Sequence, residues 1–138
     1  MRLIVALDDN NGMLFNHRRQ SSDKAVRDRI KELIKGEVLY LNPYSAGQFK
    51  DADIRLFIDD DFLYKAGKGE YCFVEDQSLS DVKEDIEEFV IFRWNRKYPS
   101  DLVLDVLPGD HGMACVSMEE FAGNSHKKIT MEIWRAER

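Results

Sequence analysis

No apolar stretch in this chain approaches the roughly 20 residues needed to span a bilayer, which excludes a membrane-spanning helix. The first apolar run, Leu3–Leu7, is also too short for the apolar segment of a secretion signal. Cysteine is scarce. Cys72 and Cys115 both fall in strand-like runs, where they read as small core residues. These absences lead us to expect a cytoplasmic, reduced protein with no membrane partner. Histidine is scarce too, and His17, His111 and His126 are not spaced to share a metal ion. An excess of positive charge is missing. Twenty Lys and Arg stand against 26 Asp and Glu, a net charge of −6 that argues against a general nucleic-acid-binding surface. There is no repeat, low-complexity segment or linker, so residues 1–138 read as one domain with one core.

What is there reads as alternating strands and helices. Arg2–Leu7 is an apolar run after one charge, closed by Asp8-Asp9-Asn10-Asn11-Gly12. Such a run predicts a strand buried on both faces, central in a parallel sheet. Ser22 or Asp23 can cap a first helix whose apolar stripe is Ala25, Val26, Ile30, Leu33 and Ile34, with Gly36 as its stop. Val38–Leu41 is a second strand, closed by Asn42-Pro43, and Ser45 can cap a short helical turn over Ala46–Phe49. Strands follow at Ile54–Ile58 and Tyr71–Val74. Ser80 opens a short helix with Val82 and Ile86 facing inward.

Phe89–Phe92 and Leu102–Val106 are the next strands. Only Asn95–Ser100 separates them in bulk, too short for a parallel return of about a dozen residues, so they are expected to form a hairpin. Pro108–Gly112 is a turn. Met113–Met118 and Lys127–Trp134 are final strands, the last alternating Ile129, Met131, Ile133 against Thr130, Glu132, Trp134 as if one side were solvated. The pattern implies an α/β fold: a single three-layer domain with a central mixed sheet of about eight strands and an antiparallel C-terminal hairpin.

Ligands of open α/β sheets sit outside the carboxyl ends of the strands, which draws attention to the stretch from Met13 to Asp23. Local charge reverses there. Between His17 and Lys35 stand Arg18, Arg19, Lys24, Arg27, Arg29, Lys31 and Lys35, against Asp23, Asp28 and Glu32. Asn16, Arg18, Arg19, Gln20, Ser21 and Asp23, with Tyr44 and Ser45 across a cleft, suit a phosphate or carboxylate ligand at a helix start. The same charges also suit a solvated helix face.

With these elements in order, the chain resembles a shortened dihydrofolate reductase. The resemblance lies in Leu3–Leu7 followed by Asn11-Gly12-Met13, similar to that family's first strand and mobile active-site loop. It continues in Leu39–Phe49, where the family places its cofactor-phosphate segment and Ser45 would supply a hydroxyl. It ends in Asn124–Arg135, similar to the family's last strand. It implies that fold, NADPH as cofactor, and a substrate-binding carboxylate early in the first helix, where Asp23 is nearest and Ala25 matches equally well. Departures bear on activity. Asn16–Ser21 replaces the family's Trp and Pro, and Arg93-Trp94 replaces adjacent glycines that admit the cofactor pyrophosphate. Ordinary folate reduction with NADPH is therefore not expected.

The chain also resembles a group of small bacterial proteins often labelled ribonuclease Z, at Asp8-Asp9, Gly12-Met13, Phe15-Asn16, Arg18–Ser21, Asp23 and Asn42–Ser45. That label implies a metal-assisted nuclease acting on RNA, but the HxHxDH cluster of the nuclease so named is missing. Asp8, Asp9 and Asp59–Asp61 follow two strands, and if these are parallel they could place Mg²⁺ at one sheet edge. Two function classes stay open. One is a diverged reductase-like protein, or a binding module, for a small anionic or nucleotide-like ligand. The other is a Mg²⁺-dependent nuclease using Asp8, Asp9, Asp59–Asp61 and the arginine cluster. Over the two classes the candidate catalytic groups are Asp23, for the reductase-like reading, and Asp8 and Asp9, for the nuclease. Asp110-His111 reads as turn chemistry, and no serine has the local context of a nucleophile.

Overall fold

A computed structural model of the chain describes residues 1–136. The order is β1 (Arg2–Leu7), β2 (Gly12–Phe15), β3 (Arg18–Arg19), α1 (Lys24–Ile34), β4 (Val38–Leu41), α2 (Pro43–Ala46), β5 (Arg55–Ile58) and α3 (Phe62–Lys65). Then come β6 (Tyr71–Phe73), β7 (Glu88–Arg93), β8 (Leu102–Val103), β9 (Met113–Phe121) and β10 (Ile129–Ala136). Seven strands form the main sheet in the order β5-β4-β6-β1-β7-β10-β9, and β3-β2-β8 form a separate small one. β1 lies between β6 and β7, parallel to both, as its apolar run requires. β9 and β10 form the antiparallel hairpin at one edge.

The two-residue period of a strand splits β1 and β7 between two cores. Leu3, Val5, Leu7, Phe89 and Ile91 join Phe62, Leu63, Leu79, Val82 and Ile86 on one face. Ile4, Val90 and Phe92 join Val26, Ile30 and Ile34 of α1 on the other. The helix buries Val26, Ile30 and Ile34, with Leu33 only partly covered. It ends in a left-handed Lys35 ahead of Gly36. The opposite face is covered by the four-residue α3 and by irregular chain: Ser80 starts no helix, and a 3₁₀ turn at Lys83–Asp85 replaces it.

Three expectations fail for reasons visible in the sheet. The 89–92 and 102–106 segments are not a hairpin. Both edges of β7 are taken along its length by β1 and β10. The short connector therefore delivers β8 to β2 instead, antiparallel, and leaves the main sheet at seven strands. The supposed solvated side of β10 is covered, with Glu132 at 9% exposure pairing with Arg93 and accepting the Trp134 indole N–H at 3.0 Å. Cys115 is not core, because β9 is an outer strand and exposes it. Cys72 is buried, and burial pushes its thiol up to about 12.

Candidate functional site

The carboxyl ends of β1, β4, β6 and β7 open at one edge of the sheet, and the Met13–Asp23 stretch folds over it. That stretch is a hairpin rather than a long loop. β2 and β3 pair through Asn16 and His17, both left-handed (φ 53° and 62°), the conformation of a two-residue hairpin turn. The Asn16 N–H is satisfied by Asp101 Oδ2 at 3.0 Å. The hairpin carries Arg18 and Arg19 outward and leaves a cleft of about 360 Å³ lined by Phe15, Asn16, Arg18, Arg19, Gln20, Tyr98 and Pro99.

The two arginines do not act together. Arg19 donates from Nε and Nη2 to both oxygens of the buried Glu75, at 2.8 and 3.2 Å, and its guanidinium lies 4.6 Å over the Tyr44 ring. Such a bidentate, partly buried pair is a fixed strut. Tyr44 is thus part of the cluster, its hydroxyl accepting the Arg19 N–H at 2.7 Å. Ser45 is not on the cleft surface: it is buried within α2, whose cap is Asn42, and only its N–H donates, to Asn42 Oδ1. Arg18 remains exposed and lines the cleft.

Asp8, Asp59 and Asp23 are also spoken for, whereas Asp9 lies exposed next to Asp8. Asp8 Oδ1 accepts the N–H groups of Asn10 and Gly12, and Oδ2 those of Tyr98 and the Gln20 amide. Burial pushes its carboxyl up, but these donors outweigh it and hold the group below the usual range. Gln20 Oε1 is left buried without a protein donor. Asp59 directly follows β5, a strand three inter-strand steps or about 14 Å from β1, and pairs with Lys65 at 2.7 Å. The two acidic clusters therefore do not meet. Among the described residues no three His, Cys, Asp or Glu side chains converge on a metal position.

Asp23 is the most connected group of all. As the cap of α1 it accepts the Ala25 N–H at 2.8 Å. It also accepts the N–H groups of Asn124 and Ser125 at 2.8 and 2.9 Å, and His126 Nδ1 at 2.8 Å. Burial opposes its charge, yet this set of donors holds its carboxyl well below the ordinary range. The β9–β10 connection can come this close because residue 123 is glycine. A Cβ there would stand 2.7 Å from Asp23 Oδ2 and from the His126 carbonyl oxygen.

His126 is buried, stacked on Trp94 with ring centroids 4.6 Å apart. An ionised Asp23 makes Nδ1 the donor, so in the neutral ring Nε2 is an acceptor. It faces Ser21 Oγ at 2.8 Å and the Tyr98 hydroxyl at 3.3 Å. Ser21, assigned from sequence to ligand binding, is therefore engaged by His126. Glu75, Tyr98 and His126 are site residues that the sequence does not assign, and Trp94 is named there only as an obstacle to the cofactor. No local pattern marks them, since their partners lie 28 to 105 residues away along the chain.

No protein-family model matches the chain, and no curated protein is similar to it in sequence. Among solved structures it is similar to a dihydrofolate reductase from Enterococcus faecalis, described as complexed with NADP(H) and RAB-propyl. The TM-score is 0.67 and the identity 10%, over 99% of this chain and 96% of that one. A likeness of that extent at that identity speaks for the arrangement of the elements alone. The chain has a dihydrofolate reductase-like fold.

Proposed function

We propose that this protein binds a small anionic, nucleotide-like ligand in the cleft beside the carboxyl ends of β1 and β7, and that it is not an ordinary folate reductase. Arg18 carries the reading: an exposed guanidinium lining a concave site in a protein of net charge −6. Arg19 and Glu75 act as the fixed wall behind it. A guanidinium offers the planar fork that matches phosphate or carboxylate oxygens. The reductase-like neighbour is described as complexed with NADP(H), but two features here speak against that cofactor and its usual reaction. Trp94 fills the position after β7 and is packed on His126. Asp23, the acid nearest the family's substrate carboxylate, has both oxygens occupied by protein donors.

Inorganic phosphate and AMP are expected to raise the melting temperature of the purified protein. Arg18→Ala should remove most of that shift without lowering the unliganded melting temperature. One lost charge-assisted contact is worth about 1.5–3 kcal/mol, at least tenfold in affinity. A variant that keeps the full shift would remove the site. NADPH is expected to bind weakly or not at all, and micromolar affinity by calorimetry would restore the reductase.

A further inference from the structure

We propose that Ser21, His126 and Asp23 form a nucleophile, base and orienting acid, and that Ser21 is an acylatable serine acting on small carboxylic esters. This stands apart from the anionic-ligand reading, because it concerns the reactivity of one hydroxyl and needs no charge on the substrate.

The geometry meets the demands of such a relay in order. The nucleophile and base are within hydrogen-bond reach at 2.8 Å, and the base and acid at 2.8 Å. Asp23 and His126 are buried, whereas Ser21 is partly exposed. Four groups fix the imidazole: Asp23 and, at 3.3 Å, the Ser125 hydroxyl at Nδ1, Trp94 against its face and Tyr98 at the Nε2 edge. The capping of α1 needs Asp23 but not the Ser21 hydroxyl, since the Ala25 N–H is met by Asp23. Ser21 stands two residues ahead of that cap, at the positive end of α1.

The chemistry balances without any added reagent except water. Ser21 Oγ attacks the ester carbonyl carbon, forming a C–O bond while the π pair moves onto the carbonyl oxygen and His126 Nε2 takes the hydroxyl proton. Once protonated, Nε2 no longer accepts from Tyr98 and holds the proton for the leaving group. Collapse breaks the bond to the alkoxide, which leaves with the proton from Nε2. Water repeats the sequence on acyl-Ser21, releasing the carboxylic acid and the free serine. Asp23 stays ionised throughout and holds the tautomer.

The test is labelling with a fluorophosphonate, together with turnover of p-nitrophenyl acetate, on the whole protein. A single adduct on Ser21 is expected, with none on the neighbouring, more exposed Ser22, and Ser21→Ala should abolish both adduct and turnover. The wild-type labelling rate should rise with pH, as activation of the hydroxyl by a general base requires. His126→Gln should slow labelling about 100-fold or more. If that variant fails to fold, the wild-type pH profile decides the matter. No adduct, equal labelling of Ser21 and Ser22, a pH-independent rate, or turnover that survives Ser21→Ala would each overturn the proposal. Ser22→Ala should leave labelling unchanged, and the phosphate-induced melting shift, read on the same protein, keeps failure here separable from failure of the ligand site.

Discussion

Asp23→Ala should cost about 3–5 kcal/mol of stability, the sum of a lost helix cap and the desolvation of the buried donors it leaves unpaired. Asp23 is 2% exposed, and deleting its carboxylate leaves the N–H groups of Ala25, Asn124 and Ser125 without their acceptor. The cap of α1 alone accounts for about 1 kcal/mol, and each stranded donor adds its own desolvation penalty. A domain of this size has only about 5–15 kcal/mol in total. Denaturant titration would show the midpoint falling by a large fraction of its value. Asp23→Asn should cost less, because the amide oxygen can still cap the helix. A loss under about 1 kcal/mol for Asp23→Ala would mean that this node does not tie the β9–β10 connection to α1.

The same carboxyl sets an acid limit. Its folded pKa lies below the unfolded value of about 3.9, as does that of Asp8. Groups depressed in this way add stability above the unfolded pKa and lose it as pH falls through the folded one. The wild-type protein should therefore lose stability progressively below about pH 4. Asp23→Ala should show a shallower acid limb on the same titration.

Ile30→Ala should cost about 2–5 kcal/mol, the range for truncating a fully buried aliphatic side chain. Ile30 is 0% exposed and packs in the cluster holding Ile4, Leu39, Phe73 and Phe92. The wide range reflects how far the surrounding side chains close the cavity. Ile58→Ala, at a position 52% exposed on the outer strand β5, should stay within about 0.5 kcal/mol. Comparable losses at both positions, read from urea midpoints at unchanged m-value, would contradict the placement of α1 on the sheet.

Much of this was legible in the residues themselves. Leu3–Leu7 is apolar at every position because β1 is covered on both faces, and that alone placed it centrally. The apolar positions of α1 repeat every three to four residues because one face meets the sheet, so the helix could be read within a residue or two of its ends. The two ends of the chain carried enough likeness to suggest the reductase fold. Those signals are local: each arises from the period of a single element and the side it buries.

Tertiary structure decided the rest, because it depended on which partners were already engaged. β8 left the main sheet because β1 and β10 had taken both edges of β7. Arg19, read from sequence as a ligand group, is held by Glu75 from the far end of β6. Asp23, readable as a cap or as a catalytic acid, became the hub of a cluster when Asn124–His126 folded back onto it. Ser21 met His126 across 105 positions of sequence, with Gly123 permitting the approach. Composition and period report what a segment buries. Which hydrogen-bonding groups are paired and which are free is settled only when distant segments meet, and at this sheet edge that is what separates a structural strut from a reactive group.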